Sequence, residues 1–133
     1  MLIFYFIVLM LLPVLMLGIG RVWEGHPPKT INGVYGYRTV RSMKSQETWE
    51  FAHRYFGKLI FITGIPLAII TLAALLLYRN ASDGVMGTMA ILVTTIQLIA
   101  FIIPIFPTEK ALKRNFDEHG YPRSGRNNND NIY

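Results

Sequence analysis

Three stretches of this sequence contain no Asp, Glu, Lys or Arg: residues 1–20, 59–78 and 84–108. They hold 20, 20 and 25 residues, about half of a 133-residue chain. At about 1.5 Å of rise per residue, a 20-residue helix is about 30 Å long, the hydrocarbon thickness of a bilayer. An ordinary soluble fold is excluded. Hydrophobic residues make up 52% of the chain and charged residues only 16%, with a mean hydropathy of +0.35. The length leaves room for one domain. Cysteine is absent, so thiol and disulfide chemistry are excluded.

No Lys or Arg precedes the first window, whereas a cleavable signal peptide needs a basic leading region. Gly18-Ile19-Gly20 has the small-x-small form of a cleavage site, but the preferred reading is an uncleaved anchor, mildly kinked at Pro13. The second window carries Gly64 and Pro66, and the third ends near Pro104 and Pro107. The short turn from Arg79 to Gly84 offers Ser82 or Asp83 as an N-cap, so the second and third helices form an antiparallel hairpin.

Basic residues set the expected direction. Seven of the 13 lie in residues 21–58, one (Arg79) in the turn, and five from Lys110 to Arg126. Twelve therefore share one side. The positive-inside rule puts residues 21–58 and the C-terminal tail in the cytoplasm, with the N-terminus and the turn outside. A pI near 9.7 would suggest nucleic acid in a soluble domain. Here the charges flank spans, so they read as topological determinants that attract anionic headgroups, with no direct nucleic-acid binding.

Residues 21–44 read as loop, broken by Gly25, Pro27, Pro28, Gly33 and Gly36. Tyr35 and Tyr37 suit the headgroup level. Ser45 then caps a helix with Glu47 in its first turn, over about residues 46–58, lying along the membrane surface and bending at Gly57. Ser45, Trp49, His53 and Gly57 are spaced by four and form one ridge, on which Gly57 permits close approach of another backbone. His53 suits either a hydrogen-bonded packing role or a pH-sensitive or ligand-binding role. A second surface helix is expected over about 109–119, capped by Thr108 and stopped by Gly120. The Asn-rich residues 123–133 read as disordered.

Catalytic motifs are missing. There is no His-Glu-x-x-His, Gly-x-Ser-x-Gly or phosphate loop, and the three histidines lie in three separate segments. No cofactor and no metal site is implied. Gln97, near the middle of the third window, needs a hydrogen-bond partner in hydrocarbon. Counted from the turn, Thr63 lies within roughly 3 Å of its depth, so the two are expected to meet.

Asn32, Gly36, Arg38, Thr39, Ser42, Ser45, Trp49, His53 and Gly57 carry a further signal. This pattern, with the stretch Thr108–Gly120, resembles the SdpI family of bacterial membrane proteins over roughly residues 20–122. The resemblance implies a single membrane domain over residues 1–122 in a bacterial plasma membrane. It also implies immunity to, or sensing of, a membrane-active peptide toxin, with recruitment of a cytoplasmic transcriptional repressor. The family's namesake has further N-terminal spans. A physical role for the motif is that Arg38 and Ser42 hold a lipid phosphate or clamp the loop, while Trp49 and His53 line a groove over the hairpin.

The fold expected is therefore an all-α integral membrane protein. Three transmembrane helices cover about 1–20, 59–78 and 84–107, with surface helices over 46–58 and 109–119. Two further functions compete with immunity or sensing. One is a small transporter or pore subunit, which with three helices would have to form a homo-oligomer. The other is a membrane-interface enzyme using His53 with Glu47 or Glu50.

Overall fold

The computed structural model describes residues 2–123. The described residues form four helices: α1 (Leu2–Gly25), α2 (Gln46–Leu77), α3 (Asp83–Ile102) and α4 (Ile105–Asn115). They contain no β-strand beyond one isolated bridge between Phe116 and Pro122. Three helices are long and apolar enough to cross a membrane, as the charge-free windows require.

Each spanning helix buries only a narrow stripe. On α1 the buried residues are Leu9, Pro13, Met16 and Gly20, spaced by four, three and four. On α3 they are Met86, Met89, Val93 and Gln97. The spanning part of α2 buries Ile60, Gly64, Leu67, Thr71 and Leu75. All three follow the 3.6-residue helical period, and the leucines and isoleucines between them face outward. In water this surface would be untenable; in a bilayer it meets lipid. α1 pairs with α2 along most of its length, and α3 closes the bundle.

Several boundaries differ from the sequence reading. α1 continues to Gly25, past the expected end at residue 20. Residues 46–58 and 59–78 are not two helices meeting at a bend, but the single helix α2, whose 32 residues give a rod about 48 Å long. This exceeds the hydrocarbon thickness, and its charged residues, Glu47, Glu50, Arg54 and Lys58, all lie in the first half. The membrane-crossing part thus begins after Lys58. Gly57 does not interrupt the helix; its missing side chain leaves room for the close approach of α1.

At the other end, the third apolar stretch breaks at Ile103-Pro104, so α3 stops at Ile102 and α4 starts at 105 rather than 109. Thr108 therefore lies inside α4, where its hydroxyl donates to the Pro104 carbonyl at 2.7 Å instead of capping. The helix ends at Asn115, not 119, because Phe116 turns extended. Asp117 then takes the chain into a turn, its Oδ1 accepting from the N–H groups of His119 and Tyr121, both at 2.9 Å. Apart from Arg123, the tail expected over 123–133 lies outside the described residues.

The core has two parts. One cluster, near the turn between α2 and α3, comprises Leu9, Leu75, Met86, Met89 and Val93. The larger one lies toward the charged end and includes Met16, Tyr37, Phe51, Phe56, Ile60, Leu112 and Phe116. It joins all the helices to the long loop between α1 and α2, where most of the sequence motif lies.

Candidate functional site

The first turn of α2 anchors this end. Ser45 is its N-cap, accepting from the Thr48 N–H at 3.1 Å, while Thr48 Oγ1 accepts from the Ser45 N–H at 2.9 Å. This reciprocal capping box satisfies two backbone donors that a helix start leaves open. Ser45 Oγ also donates to the Gly120 carbonyl at 2.7 Å, tying the C-terminal turn to α2. Gly120 has φ of +85°, and a Cβ there would strike Lys44 and Ser45.

The loop of residues 26–45 folds back over α2. Asn32 Oδ1 accepts from the N–H groups of Val34 and Tyr35, making a local turn. Gly36 follows with φ of +108°. A Cβ at Gly36 would lie 2.6 Å from His53 Nε2 and 3.1 Å from the Trp49 ring, so both the conformation and the packing demand glycine. Farther on, the Thr39 N–H donates to Ser42 Oγ at 2.9 Å, and the Ser42 N–H donates to Thr39 Oγ1 at 3.2 Å. The Ser42 hydroxyl, fully buried, donates back to the carbonyls of Tyr37 and Thr39, both at 3.0 Å.

Trp49 and His53 are fully buried beneath this loop. The Trp49 indole N–H donates to the Pro28 carbonyl at 2.7 Å, which fixes the exit from α1. His53 Nε2 accepts the Tyr37 N–H at 2.7 Å, and Nδ1 faces the Trp49 carbonyl at the same distance. An acceptor at Nε2 and a donor at Nδ1 define the neutral Nδ1–H tautomer. Burial pushes the His53 pKa below its ordinary value, partly opposed by the hydrogen bond to Trp49. The ring also packs edge-on against Trp23, with centroids 4.8 Å apart.

Tyr37 is the residue that the loop turns inward. Its ring packs at a tilt against Phe56, with centroids 4.8 Å apart, and its hydroxyl donates to Glu109 Oε1 on α4 at 2.6 Å. Burial, and then the neighbouring Glu109 carboxylate, push the Tyr37 hydroxyl well above the ordinary phenol range, so it stays a donor. The other Glu109 oxygen lies 4.0 Å from Arg41. Arg54 donates to the carbonyls of Glu24 and Gly25, at 3.0 and 3.4 Å, satisfying the open C-terminal end of α1.

The sequence motif therefore divides. Gly36, Ser42, Trp49 and His53 are buried together or pack on one another; Thr39 and Ser45 hold turns; Asn32 shapes the loop nearer the surface. Gly57 lies at the crossing with α1. Arg38 alone is exposed with no hydrogen bond or ion pair to another described residue. The groove expected along Trp49 and His53 is not there, because the loop seals both. An apolar cavity of about 360 Å³ lies instead on the far side of Tyr37, between α1, α2 and the α3–α4 junction. Leu12, Leu15, Ile19, Trp23, Phe56 and Ile105 contribute its walls, and Arg38 stands at its rim.

Gln97 also has a different partner. Its Nε2 donates to the Leu9 carbonyl at 2.7 Å and to Thr71 Oγ1 at 3.0 Å, joining all three spans. Thr63 is only half-buried and makes no hydrogen bond to it. Depth alone misplaced the contact: Thr71 is seven residues from Gly64 and shares its buried stripe, whereas Thr63 is about 80° away around α2.

Sequence reasoning missed Tyr37, Glu109, Trp23, Gly20 and Thr71. Helical spacing on α1 and α2 could have offered Gly20 and Thr71; the Tyr37–Glu109 pair spans 72 positions and leaves no local pattern.

The sequence matches the SdpI/YfhL protein family over residues 29–108. It is 38% identical over 112 residues to the uncharacterized protein YfhL of Bacillus subtilis (strain 168). That similarity covers 84% of this chain and 92% of the relative. No solved structure matches the chain.

Proposed function

The chain belongs to the SdpI/YfhL protein family, and from that premise we propose that it acts by binding, as an immunity or sensing protein for a membrane-active peptide. The carrying observation is the double attachment of Tyr37, whose N–H goes to His53 on α2 and whose hydroxyl goes to Glu109 on α4. Around it the loop presents Val34 and Val40, 86% and 76% exposed, together with Tyr35 and Arg38. Exposed apolar and cationic groups on a rigid loop favour an amphipathic partner. A peptide seated there would strain the Tyr37 link and so alter α4.

Binding rather than catalysis accounts best for the buried groups. His53 Nε2 is taken by the loop and Nδ1 by its own helix, and the Ser42 hydroxyl is committed within the loop, leaving neither residue poised toward a substrate. The charged end, with 12 of the 13 basic residues, is taken as cytoplasmic on the positive-inside rule, where it could meet a regulator. The absence of native cysteine makes this simple to check. A cysteine at Asn80 should react with an impermeant maleimide on intact cells, and one at Lys29 should not.

The functional test is survival of a strain lacking the gene, complemented with wild type, Tyr37→Phe or nothing, against a panel of membrane-active peptides. Protection by wild type, weakened in Tyr37→Phe, is expected against at least one peptide. Equal survival of all strains against every peptide would remove this reading.

A further inference from the structure

The cavity beside Tyr37 has two properties that belong together. Its walls are apolar, and it opens sideways: Leu15 and Ile19, from the charge-free part of α1, remain 45% and 38% exposed. The opening therefore faces hydrocarbon. Its roof is the loop from Gly36 to Thr39, which brings Arg38 to the rim at the level where Lys58 ends the charged part of α2. Arg38 has no carboxylate, carbonyl or ring partner among the described residues. Arg41, three residues on, does have one, in Glu109. An open guanidinium at headgroup depth, over an apolar slot that faces acyl chains, is complementary to a single kind of molecule.

We propose that this cavity holds one anionic phospholipid, with an acyl chain in the slot bounded by α1, α2 and the α3–α4 junction and its phosphate against Arg38. The volume of about 360 Å³ falls in the range of ligand pockets, about 300–1,000 Å³. Guanidinium offers planar paired donors to a phosphate, which a lysine in its place would not. The loop's exposed Val34 and Tyr35 then sit among headgroups, where a tyrosine is well placed. Ser42 takes no part, since its hydroxyl is buried and engaged. The site shares Arg38 with the surface proposed above for a peptide, but the lipid reading does not depend on that one.

The chain carries a built-in reporter. It has two tryptophans, Trp23 in the cavity wall and Trp49 sealed below the loop. Full-length protein is reconstituted in phosphatidylcholine vesicles containing a minor fraction of lipid brominated on the acyl chain. Brominated phosphatidylglycerol and brominated phosphatidylcholine are compared at equal mole fraction. Wild type should show about fivefold preference for the phosphatidylglycerol in quenching, the value of one basic residue near a headgroup. Arg38→Gln should abolish the preference but leave quenching by bulk lipid. Leu15→Phe, which fills the slot from a half-exposed position, should weaken quenching by both lipids. Soluble glycerol phosphate should not compete, because it lacks the chain. Equal quenching by the two lipids in wild type would overturn the proposal, as would a preference that survives Arg38→Gln. Competition by glycerol phosphate would also overturn it.

Discussion

Gly20 on α1 and Gly57 on α2 meet backbone to backbone. A Cβ built on Gly20 would lie 2.6 Å from the Gly57 carbonyl oxygen, and one on Gly57 would lie 2.8 Å from that of Gly20. Neither neighbour is a movable side chain, so a methyl group at either position must push the helices apart. Gly57→Ala and Gly20→Ala should each destabilise the protein by about 1–3 kcal/mol, the usual cost of overpacking. Thermal unfolding in mild detergent measures this. Gly18→Ala is the internal control, since nothing lies within 4 Å of its added Cβ; it should be neutral or slightly stabilising, as alanine favours helix.

The Tyr37 hydroxyl and Glu109 form a hydrogen bond to a charged group in a half-buried place. Tyr37→Phe keeps the ring packed on Phe56 but strands the carboxylate. The expected cost is about 1–2 kcal/mol. The loss should be local: hydrogen exchange should accelerate in α4 and the loop, while the spans keep their protection. Uniform acceleration throughout the chain would contradict the assignment.

His53 makes stability depend on pH with a definite sign. Its pKa is lowered in the folded protein, because burial disfavours the cation and Nε2 already accepts the Tyr37 N–H. The unfolded chain therefore binds the proton more readily. Stability is complete above the ordinary histidine pKa of about 6.5 and falls as pH drops toward the lower folded value. The rings around His53, from Trp23, Trp49 and Tyr37, carry no charge to reverse this. As the pH is lowered from about 8 to about 5, the unfolding temperature should fall for wild type and fall less for His53→Gln.

Within the membrane, Gln97 and Thr71 should be coupled and Gln97 and Thr63 should not. Intramembrane hydrogen bonds average about 0.6 kcal/mol and reach about 1.7. A double-mutant cycle of Gln97→Leu with Thr71→Val should give a coupling of that order. The same cycle with Thr63→Val should give none.

Much of the architecture is legible because charge and length act locally. A long apolar run free of Asp, Glu, Lys and Arg is fit to span, and Ser45 can begin α2 because the Thr48 N–H that it caps lies only three residues on. Other features depend on facing. Gln97 announces a partner in the sequence, but counting from the turn favours Thr63, about 12 Å along α2 from Thr71, and carries no information on which side of α2 is buried. The loop is less legible still. Trp49 reaches Pro28, Tyr37 reaches Glu109 and Arg54 reaches Glu24, all across gaps that no periodicity links. The helix break at Pro104 shows the same limit: two prolines in an apolar run mark a disturbance without saying which one ends the helix.

The contacts at the charged end also impose an order of assembly. Glu109 lies 72 positions after Tyr37, and Gly120 lies 75 after Ser45. A ribosome making this chain has delivered α1, the loop and α2 long before either partner emerges. Until then Tyr37 has no carboxylate and Ser45 no carbonyl beyond its own helix. The latch is thus synthesised after all the spans, and a nascent chain stopped before Glu109 would sit in the bilayer with its spans in place and its door open.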